Sequence, residues 1–359
     1  MKIAVVWDFL IDKGGAEREL IIIARALDAD IITTHFLKNK TYAEFSKMRV
    51  VPHPLKSYPT PLLMQKEASK IFKKIDLSKY DLVISMGDWA KFVSMNKTLR
   101  ARHIHITISP PRMFYMKSSV KNQLGMAKRV VFSTWAHFAA KRDVEAMRRI
   151  DEVIVQSLEA KRRVETYYNK KPHRIVLYPP TEIQKFKSGK SKGYFMSVQR
   201  LMPQKNIEIQ IEAFNALPKE KLIVVGSMLD NKIDYFKKLR ASANKNIKFV
   251  TNVNDKELVK LYSHAKCVIQ TSENEDFGLV PVEAMASGKP CIAVNEGGFR
   301  ETITNKTGIL IEKPYVESLI NAVNNFDENK FSTRELKERS KLFSEKIFIR
   351  NLMKVISGV

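Results

Sequence analysis

The chain has 359 residues, 44% of them apolar, which suits two packed domains and excludes a disordered chain. Its formal net charge is +24, most of it carried by residues 1–174, an excess that favours anionic partners such as nucleic acid, anionic lipid or phosphorylated substrates. The two cysteines, Cys267 and Cys291, exclude a disulfide framework or a four-thiolate zinc site, and both sit in apolar runs that suit buried free thiols.

The first run, KIAVVW, is cut short by Asp8, so it reads as a buried strand and not as a secretion leader. No run reaches the ~18 consecutive apolar residues of a membrane span. DKGGAEREL, Asp12 to Leu20, comes directly after it. Gly14 and Gly15 before a helical pattern let the backbone approach a ligand, and the helix N-terminus offers N–H groups to phosphate. The spacing is neither GxGxxG nor a P-loop, which disfavours both of those sites. Asp28-Ala29-Asp30 has the form of a metal-binding D-x-D, but it closes a helix before the strand DIITT and is read as a turn.

Strands are expected next at DLVISM, HIHITIS, EVIVQS and RIVLYP, with a long amphipathic helix from about Val120 to Ile150. Alternation along HIHITIS puts His103 and His105 on one face and Ile108 on the other. A buried or surface role suits the two histidines better than a catalytic one. YPPTEIQKFKSGKSKG, Tyr178 to Gly193, has no apolar period and reads as a linker. Six further strands come after it: GYFMSVQ, KLIVVG, IKFV, KCVIQT, PCIAVN and GILIE. A charged amphipathic helix with no strand after it ends the chain, capping the second domain or crossing back onto the first.

Strand–helix alternation throughout argues an α/β chain of two Rossmann-like, doubly wound domains facing a central cleft. The expected division is residues 1–178, a linker at 179–192, a second domain at 193–332 and a C-terminal helix at 333–359.

Two segments of the second half carry candidate chemistry. In SVQRLMPQKN, Arg200 and Lys205 flank a proline turn at a strand end, where cations neutralise a departing diphosphate. The competing reading is two solvated surface cations. In ENEDFGLVPVEAMASGKP, Glu275 lies in a loop and Glu283 about one turn inside the helix starting near Leu279. Between them, the amides of Phe277, Gly278 and Leu279 surround a helix N-terminus suited to anions.

EDFGLVPVE, Glu275 to Glu283, resembles the E-x7-E motif of the family 4 retaining glycosyltransferases, which have the GT-B fold. ASGKPCIAVNEGGFRETI resembles the family's stretch immediately downstream of that motif, with Gly297 and Gly298 matching its glycine pair. SVQRLMPQKNIEIQIEAF resembles the family's Arg/Lys diphosphate segment, and GGAEREL its first glycine loop. The matches span nearly the whole chain in order. The resemblance implies that Arg200 and Lys205 hold the donor phosphates and that Glu283 binds the ribose. Glu275, with the amides of Phe277 to Leu279, would bind the transferred sugar, and Gly14 and Gly15 would line the phosphates or the acceptor entry. Glu275, Arg200 and Lys205 are then the catalytic set. No metal or other cofactor is expected, because Arg and Lys take the metal's place. Many members read H-T-P-P-R-Y where this chain reads ISPPRMFY, so Ile108 stands at the position of a histidine that contacts the donor sugar.

The pattern is similar to mannosyltransferases of the glycolipid and O-antigen type, which favours GDP-mannose over UDP-glucose or UDP-N-acetylglucosamine. The expected acceptor is a glycan or a polyprenyl-phosphate-linked glycolipid. Arg129, Lys141, Arg142, Arg148, Arg149, Lys161, Arg162 and Arg163 interleave with Phe132, Trp135 and Phe138, as at an anionic membrane surface. Peripheral attachment to the cytoplasmic membrane face is therefore expected, and nucleic acid is not. The competing readings are a GT-B nucleotide-sugar epimerase and a non-catalytic protein that binds polyanions or a partner.

Overall fold

The computed structural model of the protein describes residues 1–55, 61–115, 126–226 and 233–358. The chain forms two compact units, one of Met1–Tyr178 with Ile349–Val359, the other of Pro179–Phe348.

The first unit is built on β1 (Ile3–Trp7), β2 (Asp30–Thr33), β3 (Val50–Pro52), β4 (Leu82–Met86), β5 (Arg102–Thr107) and β6 (Glu152–Val155). They pair in parallel in the order β3-β2-β1-β4-β5-β6. The second contains β7 (Tyr194–Val198), β8 (Lys221–Val225), β9 (Ile247–Val250), β10 (Ala265–Gln270), β11 (Cys291–Val294) and β12 (Gly308–Ile311). Its order, β12-β11-β10-β7-β8-β9, repeats the connectivity of the first. Helices on both faces bury these sheets, so strands such as IAVVW and LVISM are apolar on consecutive residues instead of alternating. On one face of the second sheet Phe195, Leu222 and Ile292 pack together; on the other, Met196, Val268 and Cys291 do.

All six strands expected in the second half are present, and five of the six in the first. RIVLYP is not a strand. The amides of His173 and Leu177 reach Val153 O and Val155 O of β6 at 2.7 and 2.9 Å, but that of Ile175 goes to His173 Nδ1 at 3.0 Å, which interrupts the ladder. Pro179 and Pro180 then supply no donors. The sixth strand is β3, whose Pro52 is compatible with its place at the sheet edge.

The long helix is Met126–Arg148; residues 120–125 of the expected span lie outside the described ones. The chain ends in two helices, Thr333–Lys341 and Glu345–Ser357, instead of one. They break where Phe343 turns inward to stack edge-on against Phe277 and Ser344 bridges to Thr181. Arg102 holds the end of the last helix, donating to the carbonyls of Ile356 and Val355 at 2.7 and 3.1 Å. Residues 179–193 are tied to the second unit through Gly189 N to Ser263 O at 3.1 Å and Lys289 Nζ to Gly189 O at 2.9 Å.

Candidate functional site

In each sheet the connections reverse direction between two neighbouring strands, and the carboxyl ends there are where ligands bind in this architecture. In the second unit those strands are β7 and β10. Their outgoing loops are joined by a short polar network. Thr271 Oγ1 donates to the carbonyls of Lys205 and Asn206 at 3.0 Å each, and Gln210 Nε2 reaches Thr271 Oγ1 at 2.7 Å. Asn206, left-handed at φ 51°, returns its side-chain amide to Thr271 O at 3.1 Å. A 3-10 turn over Pro203–Lys205 then sends Lys205 towards the loop after β10.

There Lys205 meets Glu275, Nζ to Oε2, at 2.7 Å, with about one fifth of each side chain exposed. Ser272 Oγ donates to the same carboxylate oxygen at 3.0 Å. The glycine pair makes room for this loop. A Cβ on Gly297 would lie 2.2 Å from Glu275 O, one on Gly298 would lie 2.2 Å from Phe277 Cα, and Gly298 N bonds Glu275 O at 2.9 Å. Gly278 is required twice over: its φ is +87°, and a Cβ there would strike the Phe299 ring at 2.7 Å. It caps the helix Leu279–Ala286, so Phe277, Gly278 and Leu279 do surround a helix N-terminus. Phe277 itself is buried. Arg200, just past β7, is exposed.

Glu283 lies half-buried on the same helix, and its Oε2 accepts from Tyr262 Oη at 2.6 Å. Thus Lys205 and Glu275 are in contact, Glu283 sits one turn beyond their loop, and Arg200 leaves the adjoining strand. Tyr262, Ser272, Asn206, Gln210 and Thr271 were not singled out from sequence. Their partners lie 3 to 67 residues away, and only the sheet brings them together.

Gly14 and Gly15 belong to the first unit. Gly14 caps the helix Gly15–Ala26, and Tyr42 Oη lies 3.4 Å from Gly14 O. At the β1/β4 reversal, Asp8 accepts from the amides of Asp88, Trp89 and Ala90 at 2.8, 2.9 and 2.6 Å. Burial, and then the charge of Asp88, push its carboxyl up to about 7 despite those three bonds.

Asp28 forms the turn that leads into β2, which Asp30 opens. Asp28 has φ 48°, Arg49 pairs with both carboxylates at 3.1 and 2.7 Å, and Tyr80 donates to Asp30 at 2.8 Å. His103 and His105 share a face and are buried, with Ser85 Oγ 2.7 and 2.9 Å from their rings. Burial drives both towards neutrality, His103 down to about 3. Ile108 is 37% exposed.

On the helix Met126–Arg148, Val130, Val131 and Phe138 are exposed beside Arg129, Lys141, Arg142, Arg148 and Arg149. Phe132 and Trp135 instead pack against the core, and Arg163 is no part of the basic surface. It is 1% exposed, bonded to Glu159 at 2.8 Å and Ser109 Oγ at 2.9 Å.

Two doubly wound units of identical strand order, one carrying a cation–carboxylate site at its reversal point, define a GT-B protein. Solved structures agree across the whole chain. Anabaena Alr3699/HepE in complex with UDP and glucose aligns over 100% of both chains, with a TM-score of 0.78 at 20% identity. Sucrose-phosphate synthase from Thermosynechococcus elongatus aligns over 100% of this chain and 99% of its own, with a TM-score of 0.79 at 17% identity.

Residues 180–343 match the family described as Glycosyl transferases group 1. Alpha-1,3/1,6-mannosyltransferase ALG2 of Homo sapiens is 31% identical over 168 residues, 38% of this chain and 40% of that protein. Its counterpart in Dictyostelium discoideum is 27% identical over 192 residues, 46% of each. The chain is a GT-B protein resembling the group 1 glycosyltransferases, mannosyltransferases among them, and it spans less than half the length of these curated relatives. Among the described residues no helix is long and apolar enough to cross a membrane.

Proposed function

We propose that the protein is a metal-independent retaining hexosyltransferase that moves mannose from GDP-mannose to a glycan or a polyprenyl-phosphate-linked glycolipid. The observation that carries this reading is the contact of Lys205 with Glu275 where β7 and β10 diverge. As the bond between the sugar and the diphosphate breaks, negative charge grows on the leaving group. Lys205 and Arg200 stabilise it with their positive charge. Glu275 and the helix N-terminus at Phe277, Gly278 and Leu279 hold the sugar, and Glu283 accepts from the ribose hydroxyls. Retention requires the acceptor oxygen to enter on the face that the diphosphate leaves.

Mannose is favoured by the mannosyltransferases among the relatives. The family matched by the second unit is one of transferases, which does not favour an epimerase or a non-catalytic binder. Metal independence is supported by the pairing of Asp28 and Asp30 with Arg49, which suits a structural turn better than a metal-binding D-x-D. The exposed face of Met126–Arg148, with Val130, Val131 and Phe138 among cations, supports peripheral attachment to an anionic bilayer such as the cytoplasmic membrane face.

Calorimetric titration with GDP-mannose, UDP-glucose and UDP-N-acetylglucosamine, without added metal, tests the proposal. Micromolar binding of GDP-mannose, lost in Arg200→Ala, is expected. Binding of none of the three overturns it.

A further inference from the structure

The helix Asp255–His264 starts at a capping box between Asn254 and Glu257, which fixes its first turn. Near its other end Tyr262 is fully buried, part of the apolar cluster that also holds Met196, Ala284, Cys291 and Phe299, with its ring edge-on to Phe186 at 5.5 Å. A buried phenol needs a hydrogen-bond partner, because in an apolar surround an unpaired hydroxyl is costly. Tyr262 finds one outside the apolar cluster, in the half-buried carboxylate of Glu283 at 2.6 Å. Burial and then the Glu283 charge push the phenol well above its ordinary range, so it stays protonated and donates.

Glutamate has three side-chain torsions and is held poorly by a helix surface alone. Here one end of its carboxylate is pinned from the interior by a rigid aromatic ring. Glu283 projects from the helix whose N-terminus forms the candidate sugar site, so its orientation decides what a bound nucleoside meets. We infer that Tyr262 is a positioning residue for nucleoside binding, holding the Glu283 carboxylate in the orientation that accepts from the two ribose hydroxyls of the donor. The inference rests on the transferase reading and adds to it a residue that never touches the ligand. Because orientation is fixed before the nucleotide arrives, the gain appears in affinity and leaves the chemical step alone.

The test is Tyr262→Phe, which keeps the ring and its contact with Phe186 and removes only the hydroxyl that reaches Glu283. The full chain and the variants Tyr262→Phe and Glu283→Ala are titrated calorimetrically with GDP and with 2′,3′-dideoxy-GDP. Tyr262→Phe is expected to bind GDP about 10-fold more weakly and the dideoxy nucleotide as the unaltered protein does, with KM for the donor raised and kcat within about twofold. Its thermal unfolding should match that of the unaltered protein within a few degrees. Equal weakening towards both nucleotides, or none towards either, overturns the positioning role. Loss of ribose discrimination in Glu283→Ala with none in Tyr262→Phe overturns Tyr262 alone. No discrimination by the unaltered protein, or GDP binding by Glu283→Ala at full strength, overturns the ribose reading itself.

Discussion

The ammonium of Lys205 and the carboxylate of Glu275, 70 residues apart in the chain, meet at 2.7 Å, and Ser272 donates to the same oxygen from the loop that carries Glu275. On the function proposed above, an arriving diphosphate would compete with Glu275 for that ammonium, which would couple phosphate binding and sugar recognition through one ion pair. Lys205→Ala is expected to weaken nucleoside diphosphate binding about 10- to 100-fold, the loss of one charge-assisted contact of about 1.5–3 kcal/mol. Glu275→Ala should lower kcat by about 100-fold or more while leaving the unfolding midpoint nearly unchanged, because partly exposed pairs add little to stability. Calorimetry and initial rates on both single variants and the double variant measure the coupling; full additivity would show that the two act separately.

Asp143 is fully buried in the first unit and takes three bonds: from Lys91 at 2.7 Å, Tyr168 at 2.6 Å and Tyr115 at 2.9 Å. Asp143→Ala leaves the buried Lys91 ammonium without its counter-charge, and urea unfolding should show a loss of about 3–5 kcal/mol. Replacing both charges with apolar residues of similar volume, Lys91→Met with Asp143→Leu, should recover much of that loss.

Glu19 is buried on the helix after the glycine loop, with Gln156 Nε2 donating to it. Burial pushes its carboxyl from 4.5 up to about 8, and the bond from Gln156 opposes this only in part. The folded state therefore holds a proton that the unfolded chain releases, and stability falls as pH rises from 4.5 towards 8. By about pH 7 this one group costs roughly 3 kcal/mol. Asp8 has the same sign between 3.8 and about 7. Glu19→Gln should flatten the dependence of urea midpoint on pH without abolishing it. An unchanged slope would show that Glu19 titrates normally in the fold.

Gly298 has an ordinary helical φ of −66°, so its requirement is one of space. Gly298→Ala drives a methyl group into the backbone of Phe277 and displaces the loop from Glu275 to Leu279. A loss of about 1–3 kcal/mol in the second unit and at least a 10-fold drop in nucleotide affinity are expected. Thermal unfolding and calorimetry measure the two separately.

The parallel architecture was legible in eleven of twelve strands, most of them because strands buried on both faces read as near-continuous apolar runs. The exceptions have local causes. Ile175 and Val176 look like strand residues, yet His173 takes the amide that would continue the ladder. Val50–Pro52 is three residues long and ends in proline, a signal too short to separate from a turn. The candidate site was readable in the sequence where it lies on one segment, as in Glu275 to Glu283. Lys205 with Glu275, and Tyr262 with Glu283, were not visible as pairs, because each partner sits on a different element and only folding sets the distance. The basic stretch misled at Arg163: a charge pattern does not show which guanidinium turns inward to Glu159 and Ser109.

Cys267 and Cys291 stand on neighbouring strands of the second sheet but on opposite faces, each buried and with its thiol held protonated by that burial. The chain has no other cysteine. A thiol-modifying reagent therefore reaches this protein only when the central strands of the second unit open, and the first unit is silent to it. The rate of labelling is a clock for that unit alone. A nucleotide that binds there should slow the clock in proportion to one plus its concentration over Kd, which measures donor affinity before any acceptor is known.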